Sequence, residues 1–294
     1  MSESGPEVWI TAPAKINLYL HVTGKRADGY HVLDSLIAFA DFGDRITAAP
    51  AHSLGLEIDG PFAGALQEAT PNPDANLVLR AARALADYAG RPAAAHIQLT
   101  KNLPIAAGIG GGSADAAAAL RALAELWQLP WDEAAMGALA AALGADVPVC
   151  LAGYAAFVGG IGEIITPAPP LPDCGLVLLN PGVTLPTAEV FAARSGDFGA
   201  AARFTETPAD AAGLARLLAP RRNDLSAAAI AIQLVIADAL AALQGAGAHL
   251  ARLSGSGATC FGLFDDLDAA IAAAESLGRA APEWWLAATT LASP

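Results

Sequence analysis

The chain has 294 residues, 54% of them apolar and 15% charged, with a formal net charge of −13 at pH 7. That length holds one large domain or two ordinary ones, and that composition excludes wholesale disorder. The negative charge argues against nucleic acid as a partner, because phosphate backbones attract cationic surfaces. An anionic small molecule is still allowed, held by backbone N–H groups, helix N-termini and a few local cations.

The N-terminal MSESGPEVWI lacks the basic and then apolar pattern of a signal peptide. VWITAPA, INLYLHV and LDSLIAFA alternate as strands, and GKRADGYH punctuates them as a loop. SLGLEID predicts another strand, and after the turn TPNPDAN a helix runs over 76–89 with Asn76 as its N-cap. AAAHIQLTKNLP predicts a strand that leads into LPIAAGIGGGSADAAAAL, with helices following over 113–127 and 132–143. GADVPVCLAG, AAFVGGIGEIITPAP and CGLVLLNPG read as short strands. The proline-rich segment 167–174 reads as a linker or domain edge. Helices over 209–218 and 223–243, strands at 249–254 and TCFGLF, a helix over 267–277 and a strand near 285–291 follow. This mixture predicts an α+β domain with helices covering an antiparallel sheet.

The apolar run 227–243 is broken by Gln233 and Asp238 and is too short to span a bilayer comfortably. It predicts a buried helix, and no membrane association is expected. Cys150, Cys174 and Cys260 are far apart and odd in number, without zinc-ligand spacing. Buried free thiols in a reducing cytoplasm are the expectation. Only Lys15, Lys25 and Lys101 are lysines, and Lys15 and Lys101 adjoin the most unusual segments.

Gly108, Gly110, Gly111 and Gly112 stand between an extended run and a helical one. No lysine follows them as a P-loop requires, and Ser113 replaces the third glycine of a dinucleotide fingerprint. What fits is a backbone cradle for a polyphosphate that ends on the N-terminus of a helix opened by Ser113. A tight turn before a well-packed helix is the plainer alternative.

PIAAGIGGGSADAA resembles the phosphate-binding motif of the GHMP kinases, which phosphorylate small hydroxyl-bearing metabolites with ATP. APAKINLYLHVTGKRADGYHVLDSLIAF and RLSGSGATCFGLF agree with that family near the two ends of the chain. LGADVPVCLAG, NPGVTLPTAEVF and RRNDL fit it in the same order. The resemblance implies an α+β, two-domain GHMP kinase architecture. Residues 1–165 would form an N-terminal ribosomal-protein-S5-domain-2-like ATP-binding domain, and residues 166–294 a C-terminal ferredoxin-like α/β-sandwich domain. The N-terminal motif and its loop further imply a diphosphocytidyl sugar alcohol as acceptor, phosphorylated on its 2-hydroxyl in non-mevalonate isoprenoid precursor synthesis. Another acceptor of homoserine or mevalonate type, or a non-catalytic nucleotide-binding protein on the same fold, are the alternatives.

The same resemblance implies roles for individual residues. ATP is expected at Pro104, Ala107, Gly108, Ile109, Gly110, Gly111, Gly112, Ser113 and Ala114. Mg²⁺ is expected with it, with no protein ligand assigned and Ser113 the one candidate. Asp146, in GADVP, is the expected base, and Lys15 its expected cationic partner. A helix-capping aspartate and an edge strand with a solvent-facing polar side are the alternatives for these two. Asn17 is expected to hydrogen-bond the substrate. Tyr30 and His31 match the positions that hold the cytosine, with Phe191 as an opposite face and Thr187 a further contact. Gly255, Ser256 and Gly257 are expected to bring a second backbone turn near substrate or phosphates. Ala106 and Ala114 depart from the family, which more often has glycine and serine there. A cytoplasmic enzyme, monomer or homodimer, is the resulting expectation.

Overall fold

The computed structural model describes residues 7–292. In chain order the first elements are β1 (Val8–Lys25), β2 (His31–Ala49), β3 (Gly55–Asp59), α1 (Ala63–Ala69), α2 (Leu77–Tyr88) and β4 (His96–Thr100). Then come α3 (Gly111–Leu126), α4 (Glu133–Leu143), α5 (Val147–Ala152), β5 (Ala156–Gly160) and β6 (Ile164–Pro167). The remainder is β7 (Gly175–Asn180), α6 (Thr187–Ala193), α7 (Ala211–Leu218), α8 (Ser226–Ile232), α9 (Val235–Gly245), β8 (Leu250–Leu253), β9 (Cys260–Phe264), α10 (Leu267–Ala280) and β10 (Trp285–Thr290).

These residues form two compact units, neither continuous in sequence. One holds the chain up to Ala14, then 43–105 and 110–152; the other holds 15–42, 106–109 and the chain from Gly153 onward. The strands β1 and β2 therefore contribute to both, and so does the glycine-rich loop.

In the first unit the end of β2 pairs antiparallel with β4, and β4 pairs parallel with β3. Apolar residues of α2 pack on α3, which also meets α4 and α5. Asn76 caps α2 as the sequence predicts, its side chain accepting the Val78 N–H at 2.9 Å. Residues 147–152 are a helix and not the predicted strand. Val147 and Val149 favour a strand locally. Pro148, however, sits in a first helical turn, where its missing N–H costs nothing, and Val147, Val149 and Leu151 are buried.

In the second unit a four-stranded antiparallel sheet has the order β10-β7-β9-β8. Numbered from β7, that is the 4-1-3-2 order of a βαββαβ ferredoxin-like layer, with α9 and α10 packed on it. Its core includes Val177, Leu179, Leu243, Leu253, Cys260 and Leu277. The predicted helix over 223–243 is two helices, α8 and α9, bent by 119° where Gln233 takes an extended conformation. No single helix among the described residues is long and apolar enough to cross a membrane. All three cysteines are free and buried, and burial raises the Cys174 and Cys260 thiols to about 12.

Candidate active site

The glycine-rich loop is built from two ends. Gly110 takes a left-handed conformation (φ 63°) as the N-cap of α3, and no side chain caps that helix. Helix α3 thus begins at Gly111, two residues before the predicted Ser113. Each glycine has its own reason. At Gly108 (φ 76°) a Cβ would lie 2.4 Å from the Ser254 carbonyl oxygen and 2.7 Å from the Gly257 nitrogen, so backbone packs on backbone there. At Gly111 a Cβ would meet Lys101 Nζ at 3.1 Å. At Gly112 it would meet only Leu77 Cδ1, at an ordinary 3.6 Å, and Gly112 is exposed. Folding alone therefore leaves Gly112 unexplained, and a ligand that needs the backbone bare explains it.

Lys101 is not a free cation for phosphate. It is 2% exposed and donates to Asp44 and, at 2.7 Å, to Asp115. Asp44 also accepts the backbone N–H groups of Asn102 and Leu103, at 2.6 and 2.8 Å. Burial pushes the Asp115 carboxyl well above the ordinary carboxylate range, opposed by Lys101 and reinforced by Asp44. Lys101 is thus paired with both carboxylates, and Asp115 is the one that burial disfavours as a charge.

In the second unit, residues from three distant motifs meet. Lys15 and Asn17 lie on β1 and are 5% and 4% exposed. Lys15 Nζ donates to Asn17 Oδ1 at 3.1 Å, and its backbone N–H donates to the Ile109 carbonyl at 2.9 Å. The Ser254 hydroxyl accepts the Asn17 N–H at 3.1 Å and donates to the Gly108 carbonyl at 3.0 Å. Gly255 (φ 55°) leaves the space that a Cβ would fill, 2.8 Å from the Gly108 carbonyl oxygen and 3.4 Å from Asn17 Oδ1. One hydroxyl thus joins β1, the first glycine-rich loop and the 254–257 turn.

Thr187 opens α6 and shares a 2.8 Å hydrogen bond with the Ser256 hydroxyl, so these two expected contacts are partners of each other. The His31 ring stacks on Phe191, with centroids 5.0 Å apart, which leaves no room for a third ring between them. Tyr30 is 63% exposed. Burial, with the charges of Lys25 and Arg194, holds His31 below its ordinary pKa and so neutral at pH 7. Asp146 lies in the first unit directly before α5, where its carbonyl accepts the Cys150 N–H at 3.2 Å. Pro104 and Ala107 are buried beside the loop, and Ala114 is only 2% exposed within α3, so its side chain offers nothing to a cofactor.

The family models for the GHMP kinase N-terminal domain and the GHMP kinase C-terminal domain match residues 76–154 and 204–283. The chain is 52% identical to the 4-diphosphocytidyl-2-C-methyl-D-erythritol kinase of Paramagnetospirillum magneticum, over 97% of this chain and 98% of that one. The chain belongs to the GHMP kinase family. A crystal structure of a 4-(cytidine 5′-diphospho)-2C-methyl-D-erythritol kinase superposes with a TM-score of 0.80 at 36% identity, covering 97% of this chain and 100% of that one. A homoserine kinase from Cytophaga hutchinsonii superposes at 0.73 with 16% identity, covering 100% and 96%, and shares the fold alone.

Sequence reasoning passed over several residues of this GHMP kinase that build the site. Asn223, inside RRNDL, donates through Nδ2 to the Leu253 and Gly255 carbonyls, both at 2.8 Å, and so holds the third glycine turn. Next to it, Asp224 accepts the Val22 N–H at 2.8 Å. The buried Arg252 guanidinium donates to the Leu18 and Arg221 carbonyls at 2.6 and 2.7 Å. An asparagine and an aspartate between arginine and leucine carried that signal, since such pairs bond backbone. Ser35 and Ser254 gave none, because a lone serine in a strand is unremarked.

Proposed function

We infer that this chain transfers the γ-phosphoryl group of ATP to the 2-hydroxyl of 4-diphosphocytidyl-2-C-methyl-D-erythritol. The observation that carries the reading is the 52% identity, end to end, to a kinase of that name. The buried Lys15–Asn17 pair, set against the 108 and 254–257 backbones, agrees with it.

Phosphoryl transfer asks a protein for position and charge more than for covalent work. The uncapped start of α3 and bare Gly112 offer N–H groups to phosphate oxygens. Lys15 is the cation for the charge of the transferring group, and Asn17 aligns the acceptor. Asp146 takes or orients the hydroxyl proton. Tyr30 is the exposed platform for the cytosine, and neutral His31 keeps one ring nitrogen as donor and one as acceptor for the base edge. Gly255, Ser256, Gly257, Thr187 and Phe191 line the same reading as backbone turn and supports.

Among the described residues no three His, Cys, Asp or Glu side chains cluster to hold a metal. The Ser113 hydroxyl, in the first turn of α3, would be the group to hold Mg²⁺, which would supply positive charge against the phosphates. Domains of 1–165 and 166–294 rest on the two family matches, which fall on either side of residue 165, while the compact units divide the chain differently and take 15–42, 106–109 and 153–165 with the C-terminal part. Three buried free thiols suit the cytoplasm.

The test is ADP release from Mg·ATP with the cytidyl acceptor, beside homoserine, mevalonate and no acceptor. Turnover with the cytidyl compound alone is expected. Turnover with homoserine or mevalonate instead would keep a kinase and remove this substrate. ATP binding with no turnover on any acceptor would leave a non-catalytic nucleotide-binding protein. Asp146→Asn is expected to bind both substrates and lose most turnover.

A further inference from the structure

We propose that Ser35 is a positioning residue for the phosphoryl transfer, acting through Asn17 on Lys15. The inference rests on the reading that Lys15 and Asn17 serve the acceptor.

The count of protons fixes the direction of each bond. Lys15 Nζ has only donors, so the Asn17 atom that faces it at 3.1 Å must be the carbonyl oxygen. Asn17 Nδ2 then points the other way and donates to Ser35 Oγ at 2.8 Å. Ser35 has one proton, and it goes to the Tyr19 carbonyl at 2.5 Å. What remains on Ser35 Oγ is an acceptor, which is what Nδ2 needs. Every donor in the chain Lys15, Asn17, Ser35 points away from the cation, and charge at its head strengthens each bond. A flipped Asn17 would set its NH₂ against the lysine ammonium, two donors with nothing to accept. Ser35 is the group that makes the correct orientation the satisfied one.

The surroundings enforce this. Ser35 is 2% exposed and Asn17 is 4% exposed, so water does not replace a lost partner easily. The backbone of Asn17 is fixed separately by Ser254 at 3.1 Å, which leaves the amide torsion as the free variable. Ser35 itself sits on β2 opposite Val158 of β5, inside a regular ladder that holds its Cα in place. Without the hydroxyl, Asn17 Nδ2 loses its acceptor, the amide turns, and Lys15 loses one of the contacts that aim it.

Ser35→Ala is expected to lower kcat by about ten- to a hundredfold, the scale of a mispositioned catalytic group. KM for ATP should stay within about twofold. Ser35→Thr, which keeps a hydroxyl, should recover most of the loss. The deciding measurement is a double-mutant cycle: in an Asn17→Ala background, Ser35→Ala should cost nothing further. Full additivity of the two losses would overturn the proposal, and so would unchanged kcat in Ser35→Ala. Should Ser35→Ala fail to fold, Ser35→Cys, a near-isostere with a weak acceptor, serves in the same cycle. A crystal structure of either variant gives a readout independent of turnover. Asn17 and Lys15 in unmoved positions would sink the idea even if the wild-type enzyme proved to prefer another acceptor. Absence of wild-type turnover on the cytidyl compound counts against the substrate, and additivity counts against Ser35.

Discussion

At the scale of single residues, the phosphate loop separates positions required by the fold from positions left for a ligand. Gly108 is pressed against the 254–257 backbone in a left-handed conformation, so Gly108→Ala should cost at least about 2 kcal/mol. Gly112 is helical, exposed and unobstructed, so Gly112→Ala should be neutral or stabilising by up to about 1 kcal/mol, yet raise KM for ATP. Ala106 has φ 51°, where an L side chain is strained. Ala106→Gly should therefore gain about 0.5–1 kcal/mol after the added chain entropy of glycine is deducted. Melting curves and ATP titrations on the three variants check the ordering. A Gly112→Ala protein with wild-type ATP affinity would return this loop to a plain helix-opening turn.

Between elements, the buried Asp44–Lys101–Asp115 cluster ties β2, the end of β4 and α3 together beneath Gly111. Two carboxylates and one ammonium cannot all stay charged in so dry a place, and Asp115, raised to about 8, is the one that yields. A carboxyl whose folded pKa lies above its unfolded value stabilises fully below the unfolded pKa, near 3.8. That stability is lost as pH rises toward about 8. Asp115→Asn keeps the neutral shape, so its stability relative to wild type should improve from pH 5 to about pH 8 and then level off. Urea midpoints at pH 5, 7 and 9 measure this, and a constant difference would mean that Asp115 is ionised throughout. Lys101 also shows what the sequence hides. The sequence shows only a rare lysine beside the glycine loop, because nothing local announces carboxylates 57 and 14 residues away. The motif residues were legible because their chemistry is local: a glycine run, a Lys-x-Asn in an apolar strand, an asparagine at a helix start. The 147–152 helix was not, since tertiary packing overruled two valines. Nor was the break between α8 and α9, because Gln233 carries no turn preference of its own.

For the whole molecule, the governing fact is a net charge of −13 on a protein that binds two phosphate-bearing substrates. Long-range repulsion opposes encounter, while the groups proposed to hold phosphate, the helix start, the backbone turns and Lys15, would attract only at close range. Salt distinguishes the two. The Debye length falls from about 30 Å at 0.01 M to about 8 Å at 0.15 M, which removes the distant field and leaves contacts in place. With Mg²⁺ in fixed excess, kcat/KM for the cytidyl acceptor should therefore rise by about two- to fivefold over that range, with kcat unchanged. A basic surface that draws an anionic substrate in gives the opposite slope. A falling kcat/KM here would mean that Lys25, Arg26 and Arg194, near the His31 loop, outweigh the rest of the charge at the point of entry. Charge-neutral replacements of those three would then reverse the slope, exposing the repulsion of the acidic remainder.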